Sequence, residues 1–548
     1  MALVQRRVSL LFTLFLLLLA GAVIRGMWLG TVQGQDLRGK AVAQQVQEVE
    51  VSARRGTITD RNGLELAVSE DSSSVYANPF LIKDPGSVAG QLSPLTGIEY
   101  DTLIRKLANR KQGFVYLKRK LDTDKGKAIA KLKLPGIGVM DEPRRRYPQS
   151  WLAAQVLGTV GTDNYGLAGI EQSHEKQLHG TDGKRKIVRD ALGKPISLVE
   201  QKRDVPGEDL RLTIDATIQE RVETVLAGVG QTFRPKGATA LVLDPRNGEV
   251  LALANWPRVN AADPSSAPAY ARQNRAVAAS YEPGSTFKAF TVAGALEERM
   301  IQPNTRFDLP PVLQVADRKI KESHDRGYVS LSVGQILAQS SNVGAVKIGL
   351  RLGPQRFDKW VHRFGFGSST GVEMPGEQQG IVPGWRRYSG SSLGNLPIGQ
   401  GLAVTPMQMA AAYQAIAMKG VTHRPHIVMG DPSPARRVVS EKTAGEVSRM
   451  LEGVLGAGGT AQEAQVPGYK LAGKTGTAEK PDEYGGYSKT KFVASFIGYA
   501  PARNPRLLVA VMVDEPQGEI YGGLVAGPAF RDITSFALNY LKIPPDPG

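Results

Sequence analysis

The chain of 548 residues contains no cysteine and only six histidines. The absence of cysteine excludes thiol catalysis, disulfide bonds and cysteine-ligated metals. The sequence also has no His-Glu-x-x-His pattern and no phosphate-binding loop of the Walker type, so nothing in it points to a zinc site, a nucleotide or any other cofactor. Any catalysis is therefore expected to depend on serine and lysine.

Acidic residues are the minority, with 52 Asp and Glu against 68 Lys and Arg, and the formal net charge is +16. Such an excess suits an anionic surface such as cell wall, membrane or nucleic acid, and it is equally typical of a solvated basic surface. The length exceeds what one hydrophobic core usually serves. We expect two or three domains.

One apolar run lacks charge altogether, at residues 8–24, and beyond Arg25 apolar residues continue to position 29. A run of this length nearly crosses a bilayer core. Arg6 and Arg7 precede it, and the positive-inside rule then leaves the N-terminus in the cytoplasm. The sequence predicts a cytoplasmic tail at 1–7, a single transmembrane anchor at 8–29 and export of the rest. A cleaved signal peptide is the alternative, since Ala20 and Ala22 resemble a small-residue cleavage site.

Residues 30–210 are predicted to form an extended module of mixed α/β structure. Alternating residues around Asn62 and Gly63 predict a β-hairpin. Residues 102–111 and 122–133 are basic and helix-prone. We interpret the arginine and aspartate side chains of residues 54–63 as a structural ion pair, because charges that flank a turn usually serve folding.

The pattern changes near residue 210, where we place the start of a second domain, 211–548. Helical spacing over 216–229 is followed by a hairpin pattern whose turn lies at 244–248. Three further strands are predicted at 469–477, 492–499 and 507–513, with helices between the two strand groups. An antiparallel sheet built from both ends of a domain, with helices inserted, is an α+β fold.

Three short motifs follow one another in this domain: Ser285-Thr-Phe-Lys288, Ser340-Ser-Asn342 and Lys474-Thr-Gly-Thr477. Each alone arises often by chance, and a capping serine beside a solvated lysine explains the first equally well. The three motifs in this order are specific for serine enzymes that form an acyl intermediate. These include enzymes that build the cell wall and enzymes that hydrolyse β-lactams.

The first motif supplies the nucleophile. Pro283 and Gly284 precede Ser285, which predicts that the serine opens a helix, with the positive end of the helix dipole nearby. Lys288 returns to the same helical face. If Lys288 is buried, desolvation lowers its pKa and lets the amine accept the serine proton.

The other two motifs are predicted to complete a cleft. Ser340 would relay a proton to the leaving amine, and Asn342 would bind the substrate's amide. Gly476 carries no side chain that could block an extended peptide added to the strand. The side chains of Lys474, Thr475 and Thr477 would bind a carboxylate, and the N–H groups of Ser285 and Thr477 would form the oxyanion hole.

A rival nucleophile lies at residues 390–394, Gly-Ser-Ser-Leu-Gly, which match the G-x-S-x-G elbow of α/β-hydrolases. That elbow needs a buried strand before the serine and a helix after it. Residues 385–388, Trp-Arg-Arg-Tyr, do not form a buried-strand pattern, so we do not favour Ser392.

With these motifs in place, the chain resembles the class B penicillin-binding proteins, and most of all their division-specific type. The match extends beyond the motifs to five other stretches, at 55–63, 166–171, 281–285, 399–406 and 521–528. The resemblance implies a peptidoglycan D,D-transpeptidase that cross-links stem peptides at the septum through an acyl-serine and is acylated by β-lactams.

The same resemblance implies an inner-membrane protein with one span, a periplasmic catalytic domain with a helical lobe, and a pedestal module that binds partners. Division proteins, including a SEDS-family glycosyltransferase, are the expected partners, and nucleic acid is not. Tyr521 is implied to lie beside the substrate cleft.

Four alternatives stay open or are disfavoured. The elongation-specific paralogue is the nearest. A β-lactamase would need a deacylating base, and the sequence has no Glu-x-x-Leu-Asn of the class A type. A bifunctional enzyme would need a glycosyltransferase domain, for which the residues before 210 are too few. A β-lactam sensor or scaffold would be acylated without turnover.

Overall fold

A computed structural model describes residues 2–31, 46–111, 113–189, 195–430, 432–482 and 485–546 of the chain. Within the predicted 30–210 module, residues 32–45, 112 and 190–194 lie outside the described residues.

The described α-helices have the following bounds: α1 Ala2–Thr31, α2 Pro85–Thr96, α3 Tyr100–Leu107, α4 Thr123–Lys131, α5 Ala154–Leu157, α6 Gly169–Ser173, α7 Glu175–Leu178, α8 Ala216–Phe233, α9 Arg275–Ala278, α10 Lys288–Glu297, α11 Val333–Ala338, α12 Asn342–Leu352, α13 Pro354–Arg363, α14 Ser392–Asn395, α15 Pro406–Ala417, α16 Glu441–Glu452 and α17 Gly522–Tyr540.

The described strands have the following bounds: β1 Val46–Val51, β2 Ile58–Thr59, β3 Glu65–Ala77, β4 Val115–Asp122, β5 Ile137–Arg146, β6 Thr159–Val160, β7 Gly166–Ala168, β8 Gly183–Arg189, β9 Pro195–Lys202, β10 Leu210–Arg211, β11 Gly237–Leu243, β12 Val250–Trp256, β13 Arg306–Leu309, β14 Val312–Val315, β15 Arg318–Lys321, β16 Val329–Ser332, β17 Val421–Thr422, β18 Arg436–Arg437, β19 Ala472–Pro481, β20 Tyr487–Ala500 and β21 Leu507–Asp514.

The chain divides into two compact units, and the first comprises residues 1–54, 73–143 and 180–207. Its antiparallel sheet has the order β1-β8-β9. Its separate hydrophobic core is formed by α2, α3, α4 and strand residues around them, including Val75, Leu92, Leu103 and Ile129. The helices predicted at 102–111 and 122–133 are confirmed as α3 and α4.

Helix α1 belongs to the same part of the chain and carries the predicted anchor. Residues Gln5–Thr31 form one helix that is long and apolar enough to cross a membrane. Its apolar side chains are exposed. In a water-soluble protein such a surface would be unfavourable, so the helix is consistent with membrane anchoring.

The second unit comprises residues 55–72, 144–179 and 208–548. Its main sheet is antiparallel with the order β12-β11-β21-β20-β19, and β19 is an edge strand. Strands β11 and β12 precede the helices α9 to α16, and β19 to β21 follow them. The α+β fold with a sheet built from both ends of the domain is therefore confirmed.

Helices cover both faces of this sheet. Phe496 of β20 packs on Phe530 of α17, with ring centroids 4.5 Å apart. Tyr499, three residues further along the same strand, donates its hydroxyl to Ser448 of α16 at 2.8 Å. Because side chains alternate along a strand, these two contacts lie on opposite faces. The sheet is thus buried between α17 on one side and the helical lobe on the other.

The predicted hairpin at Asn62 and Gly63 is confirmed by the antiparallel pairing of β2 with β3. Asp60 stabilises its turn by accepting hydrogen bonds from the backbone N–H groups of Asn62 and Leu64, both at 2.8 Å. The same side chain accepts from the N–H of Ala216 at the start of α8, at 3.1 Å. The charges here are structural, as expected.

The prediction that arginine and aspartate within residues 54–63 pair with each other is wrong. Arg55 is fully buried and contacts Glu171 and Glu175 instead, each at 2.8 Å. Arg145 binds the second oxygen of Glu171 at 2.6 Å. The partners are more than 100 residues away in sequence, so no local pattern could reveal the pairing.

Candidate active site

A cleft of about 1140 Å³ in the second unit is lined by residues from all three motifs. Its walls include the turn at Ser285, the turn at Ser340, the outer edge of β19 and strand β15, which pairs with β14 in a hairpin. Widely separated segments therefore meet at one place, as the motif order predicts.

Ser285 lies in a 3-10 turn, Gly284–Phe287, that runs directly into α10. The predicted helix start is confirmed, with a tighter first turn. Gly284 has φ +54° and would bring a Cβ atom to 3.1 Å from Ala478 Cβ, so glycine is required for the close approach to β19. Ser285 is half-buried, lines the cleft, and its hydroxyl makes no hydrogen bond to the described residues.

Lys288 is the first residue of α10 and is fully buried. Its ammonium donates to Ser340 O at 2.5 Å, to Asn342 Oδ1 at 2.7 Å and to Ser340 Oγ at 3.3 Å. Desolvation lowers its pKa to about 7, opposed by the charge of Glu322 and helped by that of Arg326. The predicted desolvated lysine is thus present, although its ammonium contacts the second motif and not Ser285.

Ser340 and Asn342 lie where α11 ends and α12 begins. Ser340 has φ +57°, an unusual backbone conformation for a residue with a side chain. Both ends of the Asn342 amide are held, because Oδ1 accepts from Lys288 and Nδ2 donates to Lys321 O at 2.9 Å. The second N–H of Nδ2 and the second lone pair of Oδ1 remain for a substrate amide.

Glu322 holds this turn, and the sequence analysis missed it. Its carboxylate accepts from Ser341 Oγ at 2.6 Å and from the N–H groups of Asn342 and Val343 at 2.7 and 3.3 Å. Arg326 pairs with it at 2.5 Å. A carboxylate at the first turn of α12 also complements the helix dipole. A single acidic residue in a loop carries no recognisable motif, so only the fold reveals this role.

The third motif forms the first half of β19, which runs from Ala472 to Pro481. Lys474 is fully buried, and its ammonium lies 3.2 Å from Thr475 Oγ1. Burial, and then the positive charge of Lys288, lower the pKa of Lys474. Thr475 and Thr477 line the cleft. Thr477 Oγ1 also accepts from the N–H of Gly522 at 3.0 Å, which joins the strand to the start of α17.

Gly476 is required for a reason other than ligand access. A Cβ atom there would lie 2.3 Å from Ser495 Oγ of β20 and 3.0 Å from Pro283 O. The missing side chain therefore lets the turn that carries Ser285 pack directly on β19.

Tyr521 precedes α17, is 39% exposed and lines the cleft. Its ring lies 5.5 Å from that of His324, in the loop after β15. The rival serine lies elsewhere: a 3-10 turn, Trp385–Arg387, and not a strand, precedes Ser392, whose hydroxyl accepts from the N–H of Ser389. The nucleophile-elbow interpretation is therefore excluded by its context.

Two family models match the chain. The penicillin binding protein transpeptidase domain matches residues 238–535, and the penicillin-binding protein dimerisation domain matches residues 50–212. Among curated relatives, the probable peptidoglycan D,D-transpeptidase PenA of Neisseria meningitidis is 35% identical over 98% of this chain and 93% of its own. The peptidoglycan D,D-transpeptidase FtsI of Escherichia coli is 34% identical over 98% and 92%.

Solved structures agree. A peptidoglycan synthetase from Bifidobacterium adolescentis superposes with a TM-score of 0.73 at 28% identity, covering 92% of this chain and 98% of its own. Penicillin binding protein 3 from Mycobacterium tuberculosis, complexed with aztreonam, gives 0.71 at 28% identity, covering 91% and 98%. The chain therefore belongs to the class B penicillin-binding proteins, the serine-type peptidoglycan D,D-transpeptidases that include FtsI and PenA.

Proposed function

We propose that Ser285 is the nucleophile of this transpeptidase and that Lys288 is its general base. In its neutral form the Lys288 amine accepts the proton of Ser285 as Oγ attacks the carbonyl carbon of the D-Ala-D-Ala bond. The bond to the terminal D-Ala breaks, and the proton held by Lys288 passes through Ser340 Oγ to the leaving amine. The amine of a second stem peptide then attacks the acyl carbon, the bond to Ser285 Oγ breaks, and the proton lost by that amine returns to Ser285 Oγ through Lys288.

The remaining site residues bind and stabilise. The N–H of Ser285 is near the start of its turn and has no partner within that turn, so it is available for an oxyanion together with the N–H of Thr477. Lys474, Thr475 and Thr477 bind the terminal carboxylate, and Gly476 keeps β19 against the nucleophile turn. Asn342 orients the base and Tyr521 borders the entering peptide.

The observation that carries this proposal is the fully buried Lys288 with a pKa near 7, held by the second motif one helical turn from Ser285. A base with a pKa near the working pH is both deprotonated and strong enough to take a proton. β-Lactams, which present a strained amide to the same nucleophile, are expected to leave Ser285 acylated.

The test is acylation of the purified full chain in detergent by a fluorescent penicillin. We expect a stable adduct with the parent protein and none with Ser285→Ala. The melting temperature of Ser285→Ala should match that of the parent. An adduct that persists in Ser285→Ala would refute the assignment. Rapid release of hydrolysed drug would instead indicate a β-lactamase.

The anchor at 8–29 is proposed to hold the 30–210 module and the 211–548 catalytic domain in the periplasm, in line with Arg6 and Arg7 on the N-terminal side of the span. The similarity to FtsI supports a septal role, in which the module binds division proteins including a SEDS-family glycosyltransferase. Depletion should then give filaments, whereas rounded cells would favour the elongation paralogue.

A further inference from the structure

Strand β15, in the hairpin of β14 and β15, carries three cations that border the cleft. Arg318, Lys319 and Lys321 are exposed and line the same cleft as Ser285. In the part of the chain that the structure describes, none of these three side chains makes an ion pair or a hydrogen bond. Arg326, which also lines the cleft, differs because Glu322 neutralises it at 2.5 Å.

The hairpin is anchored to the domain. Its apolar residues Val315 and Ile320 are 7% and 6% exposed and pack close to Gly394. At its other end Lys321 O accepts the hydrogen bond from Asn342 Nδ2 at 2.9 Å. The backbone that carries the cations is therefore held in place beside the catalytic turn, which limits the entropy lost when their side chains bind a ligand.

Arg318 lies at the other end of the cleft, near Tyr487. Burial and the nearby Glu282 carboxylate raise the pKa of Tyr487 to about 12, and the guanidinium of Arg318 opposes this shift. Tyr487 opens β20 and pairs with Pro481, the last residue of β19. The hairpin thus extends from the catalytic turn towards the end of β19 that is farthest from Lys474.

The direction of a bound peptide follows from the proposed function, on which this inference rests. β19 is the edge strand of its sheet, so an extended donor peptide can pair with it. If the terminal carboxylate is bound by Lys474, Thr475 and Thr477, the preceding residues of the donor lie towards Glu479. They then run beside Arg318 and Lys319.

We propose that Arg318 and Lys319 bind carboxylates carried by the donor peptide upstream of the bond that Ser285 attacks. The cleft thereby selects an acidic peptide. Glu479, which also lines this end, has no cationic partner among the described residues and would repel a carboxylate, so the two hairpin cations must outweigh it. Asp317 lies in the turn of the hairpin and does not line the cleft.

The test compares two penicillins that differ by one charge: benzylpenicillin, and carbenicillin, which adds a carboxyl group to the same side chain. The side chain occupies the upstream position of the donor. In Arg318→Ala/Lys319→Ala we expect the ratio of the carbenicillin to the benzylpenicillin acylation rate constant to fall about three- to tenfold. Benzylpenicillin itself should change less than about twofold, within the range of a small surface effect.

Two controls sharpen the result. Lys442→Ala removes an exposed lysine of α16 that does not line the cleft and should leave the ratio unchanged. About 0.5 M NaCl should shrink the effect of the double variant, because exposed charges are screened. Arg318→Glu should lower the ratio further than Arg318→Ala. This single substitution keeps Lys319, so it can replace the double variant if that variant folds poorly.

The possible failures are distinguishable. A ratio that stays constant in the double variant and in Arg318→Glu, with normal benzylpenicillin acylation, would overturn this inference alone. If neither penicillin acylates the parent protein, the proposed function fails first. A third measurement uses a thioester as the acyl donor and compares D-alanine with ethylamine as the acceptor. If the double variant changes only the preference between these two acceptors, the cations bind the acceptor and their assignment to the donor is wrong.

Discussion

The Arg55 cluster and the Lys288 centre both bury positive charge in the second unit, but they compensate it differently. Arg55 and Arg145 meet the carboxylates of Glu171 and Glu175 directly. Lys288 meets only oxygens of Ser340 and Asn342, and the nearest carboxylate, Glu322, is paired with Arg326.

The difference separates a structural charge from the charge that we propose to be catalytic. An ion pair removed from water keeps its charges because each partner stabilises the other, and it is expensive to break. A buried lysine without a direct carboxylate partner relieves its desolvation by losing a proton. Lys474, also fully buried and close to Lys288, shows the same lowered pKa for the same reason. Two such lysines in one place indicate chemistry and not folding.

The largest expected effect is the loss of acylation in Lys288→Met. Without the base the rate constant for a fluorescent penicillin should fall about 10²- to 10⁴-fold. The melting temperature should change little, because the variant removes a costly desolvated amine along with its hydrogen bonds. Stopped-flow acylation and thermal unfolding measure the two. If Lys288→Met lost much stability and still acylated within tenfold of the parent rate, Lys288 would be a structural charge like Arg55.

Arg55→Met should do the opposite. It leaves Glu171 facing only Arg145 and is expected to lower the free energy of unfolding of the second unit by about 3–5 kcal/mol. Acylation per folded molecule should stay close to that of the parent. The matched control is Arg61→Met, which breaks the more exposed pair with Glu249 at 3.2 Å and should cost less than about 1 kcal/mol. Equal losses in both variants would contradict the argument.

The pH dependence of acylation should follow Lys288. If the neutral amine is the base, as proposed, kcat/KM at subsaturating penicillin should rise with pH and level off above a midpoint near 7, the lowered pKa of Lys288. Below the midpoint the rate should fall about tenfold per pH unit, as expected for one essential group that must lose a proton. A flat profile between pH 5 and 9 would exclude this lysine as the base.

The smallest effect concerns the two charges next to Lys288. The carboxylate of Glu322 raises the pKa of Lys288 and the guanidinium of Arg326 lowers it. Glu322→Gln should therefore move the midpoint of the pH profile down, and Arg326→Gln should move it up, each by less than the shift that burial causes. Shifts of the same sign in both variants would show that the turn has moved and that the charges do not act directly on Lys288.

Local patterns were sufficient for most of the catalytic domain. The hairpin of β11 and β12, the strands β20 and β21 and the helix start at Ser285 agree with the sequence prediction because apolar alternation and turn residues act over short distances. Near the start of the second domain, only Leu210–Arg211 form a strand, β10. The N–H of Leu212 bonds to Thr59 and that of Thr213 to Ile427, which are remote partners that no window contains.

Two site features also lay beyond sequence reasoning. The role of Glu322 depends on a loop folding back onto the first turn of α12. The requirement for Gly476 comes from Ser495 and Pro283, which neighbour it only in space. In each case the residue type is ordinary and the reason for it is a contact between distant segments.

The sequence by itself determined the kind of chemistry and the membrane anchor, because residue type and short spacing specify a nucleophile, a lysine and an apolar helix. Only the tertiary structure decided which charges are compensated. It buries Arg55 among carboxylates, buries Lys288 away from them and lines the cleft with Arg318 and Lys319. The pKa of a charged group depends on its burial and on the nearest charged partner, and both are properties of the fold.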